Sequence, residues 1–209
     1  MGNRIMADYD ILKTVAEEKK FDLDQLINMY VAESSGRSDV VNPKGYVGGF
    51  QFGTMAGEEY GLVGEGFDYR KDLKKSASAA IDMYRANIRD EVKNKKSTWS
   101  LSKVFKEHEI TPDLAGYLTH QQGRFGFIDI ITGAKSGNIS AETRKNMLEN
   151  VGSKDLSGLG DKELANKFIN FWKGRYEEKT KEAVRWKARK EPREEAYMDM
   201  WTKEDNPLA

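Results

Sequence analysis

Apolar residues in the first part of the chain recur at intervals of three and four, the spacing of one face of an α-helix. The pattern breaks near the segment KKFD, so it predicts two amphipathic helices. Asp22 or Asp24 is a candidate N-cap of the second helix, and Gly36 is a candidate stop, which places Glu33 on the last turn. The apolar positions are Ile11, Leu12 and Val15, then Leu23, Leu26, Ile27, Tyr30 and Val31.

The pattern changes after this second helix. Residues 36–66 contain nine glycines and one proline, too many for a regular helix, and the segment YVGGFQFG is compatible with a short hairpin or an irregular loop. Helical spacing then returns, and helices are predicted over residues 73–92, 101–108, 113–122 and 141–149 and from residue 161 onward. The sequence therefore predicts a mainly α fold with at most a small β element near residues 46–53.

The composition limits the chemistry that the chain can use. Its 209 residues are enough for one domain with a sizeable core, and its 34 Lys and Arg residues balance 34 Asp and Glu residues. This balance does not favour a nucleic-acid partner. The absence of cysteine excludes disulfides and thiolate chemistry, and two histidines are too few for a multi-histidine metal centre. We expect neither a metal nor another cofactor.

The two ends of the chain differ in character. The first 20 residues carry charges throughout, without the apolar run of a signal peptide, and no later segment approaches the roughly 20 apolar residues of a membrane span. We therefore expect no membrane insertion. Residues 181–209 are densely charged and form either a solvated helix or tail, or a segment that docks on a partner. Their aromatic and methionine residues are Trp186, Tyr197, Met198, Met200 and Trp201.

Glu33 is the candidate catalytic residue because of its surroundings. Apolar residues precede it, and a carboxyl group held against apolar groups keeps its proton near neutrality, as a general acid must. The glycine-rich loop that follows lets backbone approach a ligand, and Ser34, Gln51 and Phe50 offer neutral polar groups and a ring face that suit a sugar. Asp39 is either a second catalytic carboxylate or a residue that caps a turn.

Two segments carry a resemblance to a known family. AESSGRSDVVNPKGYVGGFQF resembles the lysozyme-like lytic transglycosylases, the group of soluble lytic transglycosylases and goose-type lysozymes, whose motifs are Glu-Ser with a following Asn-Pro and then Gly-x-x-Gln. TPDLAGYLTHQQGRFG is similar to the Tyr-Leu-x-His variant of phage-type members. The resemblance covers about residues 9–180 and is specific over 32–53 and 111–126. The matching positions are Glu33, Ser34, Asn42, Pro43, Gly48, Gln51, Tyr117, Leu118, His120 and Gly123.

The resemblance implies a fold, a reaction and a set of site residues. The fold would be a two-lobed, lysozyme-like helical domain over residues 1–180, with the cleft between the lobes. Glu33 would be the only acid/base, cleaving the MurNAc-β-1,4-GlcNAc bond of peptidoglycan glycan strands and forming 1,6-anhydro-MurNAc without a cofactor. His120 and Gln121 stand where the family commonly has other residues. The substrate-binding residues would be Ser34, Gly48, Phe50, Gln51, Tyr117, His120 and Gln121.

Three alternatives remain open at this point. A goose-type lysozyme or a phage endolysin would hydrolyse the same bond, and a structural virion or cell-wall-binding protein could keep the fold without activity. The resemblance to phage-type members favours a protein of the virion tail or baseplate that acts in the bacterial periplasm, in contact with tail proteins through residues 181–209. The alternative is a protein held in the host cytoplasm until lysis. The zero net charge favours a virion-associated protein over a free endolysin, since basic character helps an endolysin adhere to an anionic wall.

Overall fold

The computed structural model describes residues 2–93, 105–151 and 156–190, and within these it does not describe the side chains of residues 2–7, 88–93 and 124. The fold is mainly α, as predicted, with a small β element. The helices are α1 Gly2–Lys19, α2 Leu23–Ser34, α3 Thr54–Glu59, α4 Leu73–Lys93, α5 Pro112–Ser136, α6 Ala141–Val151 and α7 Asp161–Lys190, and the strands are β1 Val63–Gly64 and β2 Phe67–Asp68.

Helix α2 begins and ends where its sequence predicts. The side chain of Asp22 caps its first turn by accepting a hydrogen bond of 2.8 Å from the backbone N–H of Gln25. At the other end Ser35 adopts a left-handed conformation, with φ of 54°, and its N–H bonds to the carbonyl of Val31. Glu33 therefore lies on the last turn of α2, next to the loop that follows.

The β structure is small, as predicted, but it extends beyond the predicted segment. Val47 forms isolated antiparallel bridges to Val41 and Phe52, so the segment near residues 46–53 does contain β pairing. The two-stranded antiparallel ribbon of β1 and β2 lies further along, outside the predicted segment. The short helix α3 also lies within residues 36–66, where the glycine content predicted no regular helix. Strands of two residues are too short to show an alternating pattern, which is why the ribbon was not predicted.

Helix α5 has 25 residues, about two and a half times the length of the helix predicted over 113–122. It begins at Pro112 behind the cap of Thr111, whose hydroxyl accepts a bond from the N–H of Leu114, as the Thr-Pro start predicts. The prediction ended at residue 122, and Gly123 is indeed non-helical, with φ of 67° and ψ of 161°. The helix resumes after this break, which local sequence did not indicate. Of the helix predicted over 101–108, residues 105–107 are helical and 101–104 lie outside the described residues.

The buried side chains form two clusters, and we call the part of the protein built around each cluster a lobe. The first cluster joins α1, α2, α4 and the loop residues Phe50 and Phe52. The second joins α5, α6 and the first half of α7, which contributes Phe168 and Trp172. Among the described helices, none is both long enough and apolar enough to cross a bilayer.

Helix α7 runs without a break through the boundary expected between residues 180 and 181. Beyond that point Ala183 and Trp186 are buried in the first cluster, so the second half of α7 packs on the lobe that carries Glu33. A Cβ on Gly36 would lie 2.3 Å from the indole nitrogen of Trp186, which shows how closely the loop after α2 approaches this ring. The other aromatic and methionine residues of the tail lie outside the described residues.

Candidate active site

Glu33 is held by two consecutive residues of α5. Its carboxylate projects from the last turn of α2, and its side chain is only 11% exposed. Gln121 donates a hydrogen bond of 2.8 Å from Nε2 to Oε1 of Glu33. The Nε2 atom of His120 lies 3.6 Å from the same oxygen, close enough for a charge interaction. The segment TPDLAGYLTHQQGRFG thus supplies the partners of the candidate acid, and its Gln121 lies 88 residues from Glu33 in sequence.

The imidazole of His120 is electrostatically coupled to Glu33. Burial by itself lowers the pKa of His120, since a charged ring loses hydration. The nearby carboxylate of Glu33 outweighs this effect, and the pKa of His120 is raised above its usual value. His120 is therefore a cationic partner for Glu33 over a wider pH range than a free histidine would be.

Tyr117 closes the site on the side of the second lobe. It is 9% exposed, and its ring centroid lies 5.8 Å from that of Trp172 and 5.3 Å from that of Tyr176. Burial, and then the charge of Glu33, raise the pKa of its hydroxyl well above the usual range. Tyr117 is thus both a core residue of the second cluster and a wall of the candidate cleft.

Glu33 and His120 lie where two cavities of opposite character meet. The first, which we call the apolar arm, has a volume of only about 20 Å³, room for about one water molecule. The second, the polar arm, has a volume of about 300 Å³, so only this arm reaches ligand-binding size. The apolar arm is lined mainly by Met29, Phe50, Ala80, Met83, Tyr84 and Tyr117. The polar arm is lined by Asn42, Lys44, Tyr46, Gln51, Gln121 and Asn150.

Gln51 lines the polar arm, but its side-chain amide nitrogen is hydrogen-bonded to carbonyl groups of the loop itself. Its Nε2 donates to the carbonyl of Gly48 at 2.7 Å and to that of Val40 at 3.4 Å. The residue is 6% exposed and has a positive φ of 49°. These bonds fix the position of the amide before any ligand enters, which favours a preorganised polar wall.

Two residues expected to bind substrate stabilise the loop after α2 instead. Ser34 is 4% exposed, and its hydroxyl donates to the carbonyl of Tyr30 at 2.8 Å and accepts from the N–H of Arg37 at 3.1 Å. Gly48 packs so tightly that a Cβ would lie 1.8 Å from the carbonyl oxygen of Arg70. Neither residue is among the described residues that line the two arms. The expected substrate contacts of Ser34 and Gly48 are therefore replaced by structural roles.

Phe50 has a different role from the one expected. It is 1% exposed and packs against Tyr30 with ring centroids 5.6 Å apart. A ring this deeply buried cannot present a face for stacking on a sugar. Phe50 instead forms part of the inner wall of the apolar arm.

Asp39 is not placed as a second catalytic carboxylate. Burial and a bond of 2.8 Å to Asp8 raise the pKa of the Tyr30 hydroxyl, and the charge of Asp39 adds to that rise, which places Asp39 near Tyr30. Among the described residues that line either arm, Glu33 is the only carboxylate. Within the same described part of the chain, no group of three or more acidic or histidine side chains is arranged to hold a metal ion.

Several wall residues lie outside the set of expected substrate-binding residues. Lys44 and Tyr46 reach the polar arm because the side chain of Asn42 accepts bonds from both of their backbone N–H groups, at 2.9 and 3.1 Å. The Asn-Pro turn was therefore the available signal for these two. Met29 and Met83 of the apolar arm come from different helices, and nothing local in the sequence distinguishes them from ordinary core residues.

Comparison with known proteins assigns the chain to no family. No protein-family model matches the sequence, and no curated protein matches it significantly. A function must therefore be argued from the geometry of the two arms and from the short motifs that build them.

Proposed function

We propose that this protein is a peptidoglycan lytic transglycosylase in which Glu33 is the only acid/base. The observation that carries the proposal is that Glu33 stands where the two arms meet and is the only carboxylate among the described residues that line them. Most glycosidases that use water or a covalent intermediate have a second carboxyl group, roughly 5–9.5 Å from the first. A site with one carboxylate favours attack by a group of the substrate itself.

The proposed reaction uses the same carboxyl group twice. Glu33 first gives its proton to the oxygen that bridges muramic acid C1 and glucosamine C4, and the bond from C1 to that oxygen breaks. The resulting carboxylate then takes the proton of the muramyl C6 hydroxyl while O6 bonds to C1. The products are a 1,6-anhydromuramyl end and a free C4 hydroxyl, Glu33 is protonated again, and no water is consumed.

Gln121 and His120 orient the carboxyl group of Glu33 for both steps. Both approach Oε1 of Glu33, one as a neutral donor and the other as a cationic neighbour. The hydrogen bond from Gln121 and the contact with His120 on the same oxygen hold the carboxyl group in one orientation through both proton transfers. We assign the proton transfers to the other oxygen, Oε2, because Oε1 is already engaged.

The products of peptidoglycan digestion test this function. Purified peptidoglycan is treated with the wild type or with Glu33→Gln, and the released muropeptides are weighed by mass spectrometry. We expect the wild type to release anhydro ends, which are one water lighter than reducing ends, and Glu33→Gln to release almost none. Reducing ends in their place would identify a hydrolase of the goose-type lysozyme kind, and no release by the wild type would indicate a structural or wall-binding protein.

We extend the proposal to a phage particle, where the enzyme would open the cell wall from the tail or baseplate. The similarity of the α5 motif to phage-type members supports this setting. Trp186 is 5% exposed and so is not free to dock on a tail protein, which leaves residues 191–209 as the candidate contact. Mass spectrometry of purified particles tests the setting: we expect the protein in the particles, whereas its presence in the lysate alone would indicate an endolysin.

A further inference from the structure

Lys44 is a charged residue of the polar arm that the proposed mechanism does not use. Among the described residues that line this arm, the charged side chains are Glu33, Lys44 and His120. Glu33 and His120 already contact each other. Because Glu33 is the only carboxylate of that described lining, the arm offers the ammonium group of Lys44 no counterion of its own.

The backbone of Lys44 is fixed by a tight turn over residues 42–46. The side-chain oxygen of Asn42 accepts bonds from the N–H groups of Lys44 and Tyr46, at 2.9 and 3.1 Å. The backbone closes the turn twice more, from the N–H of Gly45 to the carbonyl of Asn42 at 3.0 Å and from the N–H of Asn42 to the carbonyl of Tyr46 at 2.9 Å. Gly45 supplies the positive φ, 84°, that the turn requires. Lys44 is therefore held beside the arm by its backbone, and only its side chain has to be ordered by a ligand.

Tyr46, at the end of the same turn, gives the arm a ring suited to a sugar. It is 43% exposed, and a Cβ on Gly53 would lie 3.3 Å from its Cε1, so the ring rests against the backbone of Gly53. A supported ring that borders a cavity can take the apolar face of a sugar. The volume of about 300 Å³ is at the lower end for ligand sites. The arm thus has room for a sugar ring and the groups next to it, whereas a whole peptide stem would extend into solvent.

The two sugars of peptidoglycan differ in charge. Glucosamine carries no acidic group, whereas muramic acid carries a lactyl group on its C3 oxygen. Without a peptide stem the lactyl group ends in a carboxylate; with a stem it is an amide, and the carboxylates lie on the stem. A polar arm with one ammonium group and no spare carboxylate in its described lining fits the muramyl side of the substrate better than glucosamine.

We propose that Lys44 binds a carboxylate on the muramyl side of the substrate and so makes the enzyme select glycan strands that carry this charge. The inference rests on the proposed function, because it names the group that the same site recognises. The bound group is a carboxylate whether it belongs to the lactyl group or to the stem, and the substrates described below separate these two sources.

Four matched substrates distinguish charge from shape. Soluble glycan strands are prepared with their peptide stems or after an amidase has removed them, and part of each preparation has its carboxyl groups converted to neutral carboxamides. Lys44→Met keeps a side chain of similar length without the charge, and Lys44→Arg keeps the charge. The control Lys13→Met removes a lysine from an exposed position of α1 that is not among the described residues lining either arm. Both kcat and KM are measured from the release of anhydro ends.

We expect Lys44→Met to raise KM about fivefold on carboxylate strands with unchanged kcat, the upper end for an ion pair between exposed groups. On the carboxamide strands its KM should equal that of the wild type. A rise on stem-free strands identifies the lactyl carboxylate, and a rise on stem-bearing strands alone identifies a carboxylate of the stem. Lys44→Arg and Lys13→Met should keep KM within about twofold of the wild type, a change too small to represent loss of the pair. Added salt should raise the KM of the wild type on carboxylate strands more than that of Lys44→Met, because salt screens the pair.

The wild-type KM for Lys44→Met on every carboxylate strand that the wild type cleaves would overturn the inference. An equal rise on carboxylate and carboxamide strands would also overturn it, since Lys44 would then contact something other than the charge. Both results leave the proposed function intact, provided that the wild type makes anhydro ends. A wild type that makes none would overturn the proposed function itself, so the two failures are distinguishable in one set of digests.

Discussion

The loop after α2 and the helix α5 both carry motif residues, but they use them differently. In the loop, Ser34 and Gly48 bond to or pack against their own neighbourhood. In α5, Gln121 and His120 instead contact Glu33, on the other lobe. The loop builds the wall of the site, and α5 sets the environment of the acid.

This difference separates two reasons why a motif can be specific. A glycine with positive φ against a backbone, or a serine at a helix end, is required by local geometry. A side chain that reaches across a cleft to a carboxylate is required by chemistry. Substitutions in the loop should therefore lower stability, whereas substitutions in α5 should lower the rate.

The largest effect on stability should come from Gly48→Ala. Gly48 has φ of +84°, and an added Cβ would lie 1.8 Å from the carbonyl oxygen of Arg70. Backbone strain and overpacking together should lower the free energy of unfolding by about 3 kcal/mol or more, measured by urea denaturation. Gly45→Ala is the matched control, with the same φ and nothing within 4 Å of the new Cβ, and should cost only about 1–2 kcal/mol. Equal losses would contradict the close packing of Gly48.

Gln121→Met should lower kcat about tenfold with little change in KM, because the carboxylate of Glu33 loses a donor. The control is the same substitution at the next residue, since Nε2 of Gln122 is buried and has no hydrogen-bond partner among the described residues. Gln122→Met should keep the wild-type kcat. If Gln121→Met instead lowers the free energy of unfolding and leaves kcat unchanged, Gln121 is a structural residue. That result would contradict the view that the α5 residues act on the reaction rate.

Ser34→Ala should lower the free energy of unfolding by about 1 kcal/mol, since the hydroxyl bonds two backbone groups at the end of α2. Its kcat and KM on peptidoglycan should match those of the wild type. A raised KM with unchanged stability would instead restore Ser34 as a substrate-binding residue.

The smallest effect should be a pH-dependent difference in stability between the wild type and His120→Gln. The charge of Glu33 raises the pKa of His120 in the folded protein, so folding favours protonation of this ring. The stabilisation should be complete below the ordinary histidine pKa of about 6.5 and be lost as the pH rises through the raised pKa. In thermal denaturation from pH 5 to 9, the melting temperature of the wild type should therefore exceed that of His120→Gln at low pH, and the difference should disappear as the pH rises. A constant or growing advantage would contradict the coupling.

Much of the helical framework could be predicted from the sequence because its signals are local. Helix α2 follows from apolar spacing and from the cap of Asp22, and α7 begins at Asp161 as its spacing predicts. The second half of α5 follows a glycine break, and its continuation depends on packing in the second cluster. The course of α7 past residue 180 likewise depends on Trp186 packing against the other lobe.

The site was predictable in part, because its motif residues are local signals whereas burial depends on packing between distant segments. The motifs indicated Glu33, Gln51 and the pair of His120 and Gln121, and these side chains do line one cleft. Sequence could not show that Ser34 and Phe50 are buried, because burial depends on residues from other elements. Met29 and Met83 carry no local signal at all, since only the packing of α2 near α4 brings them together.

The most direct test of the single-carboxylate site is the rate of peptidoglycan cleavage by Glu33→Gln compared with that by Asp39→Asn. We expect Glu33→Gln to lose a factor of about 10²–10⁴, the contribution of a general acid/base, while both variants stay folded. Asp39→Asn should cleave at close to the wild-type rate. Activity retained by Glu33→Gln, or an equal loss in Asp39→Asn, would contradict the assignment of Glu33 as the only acid/base.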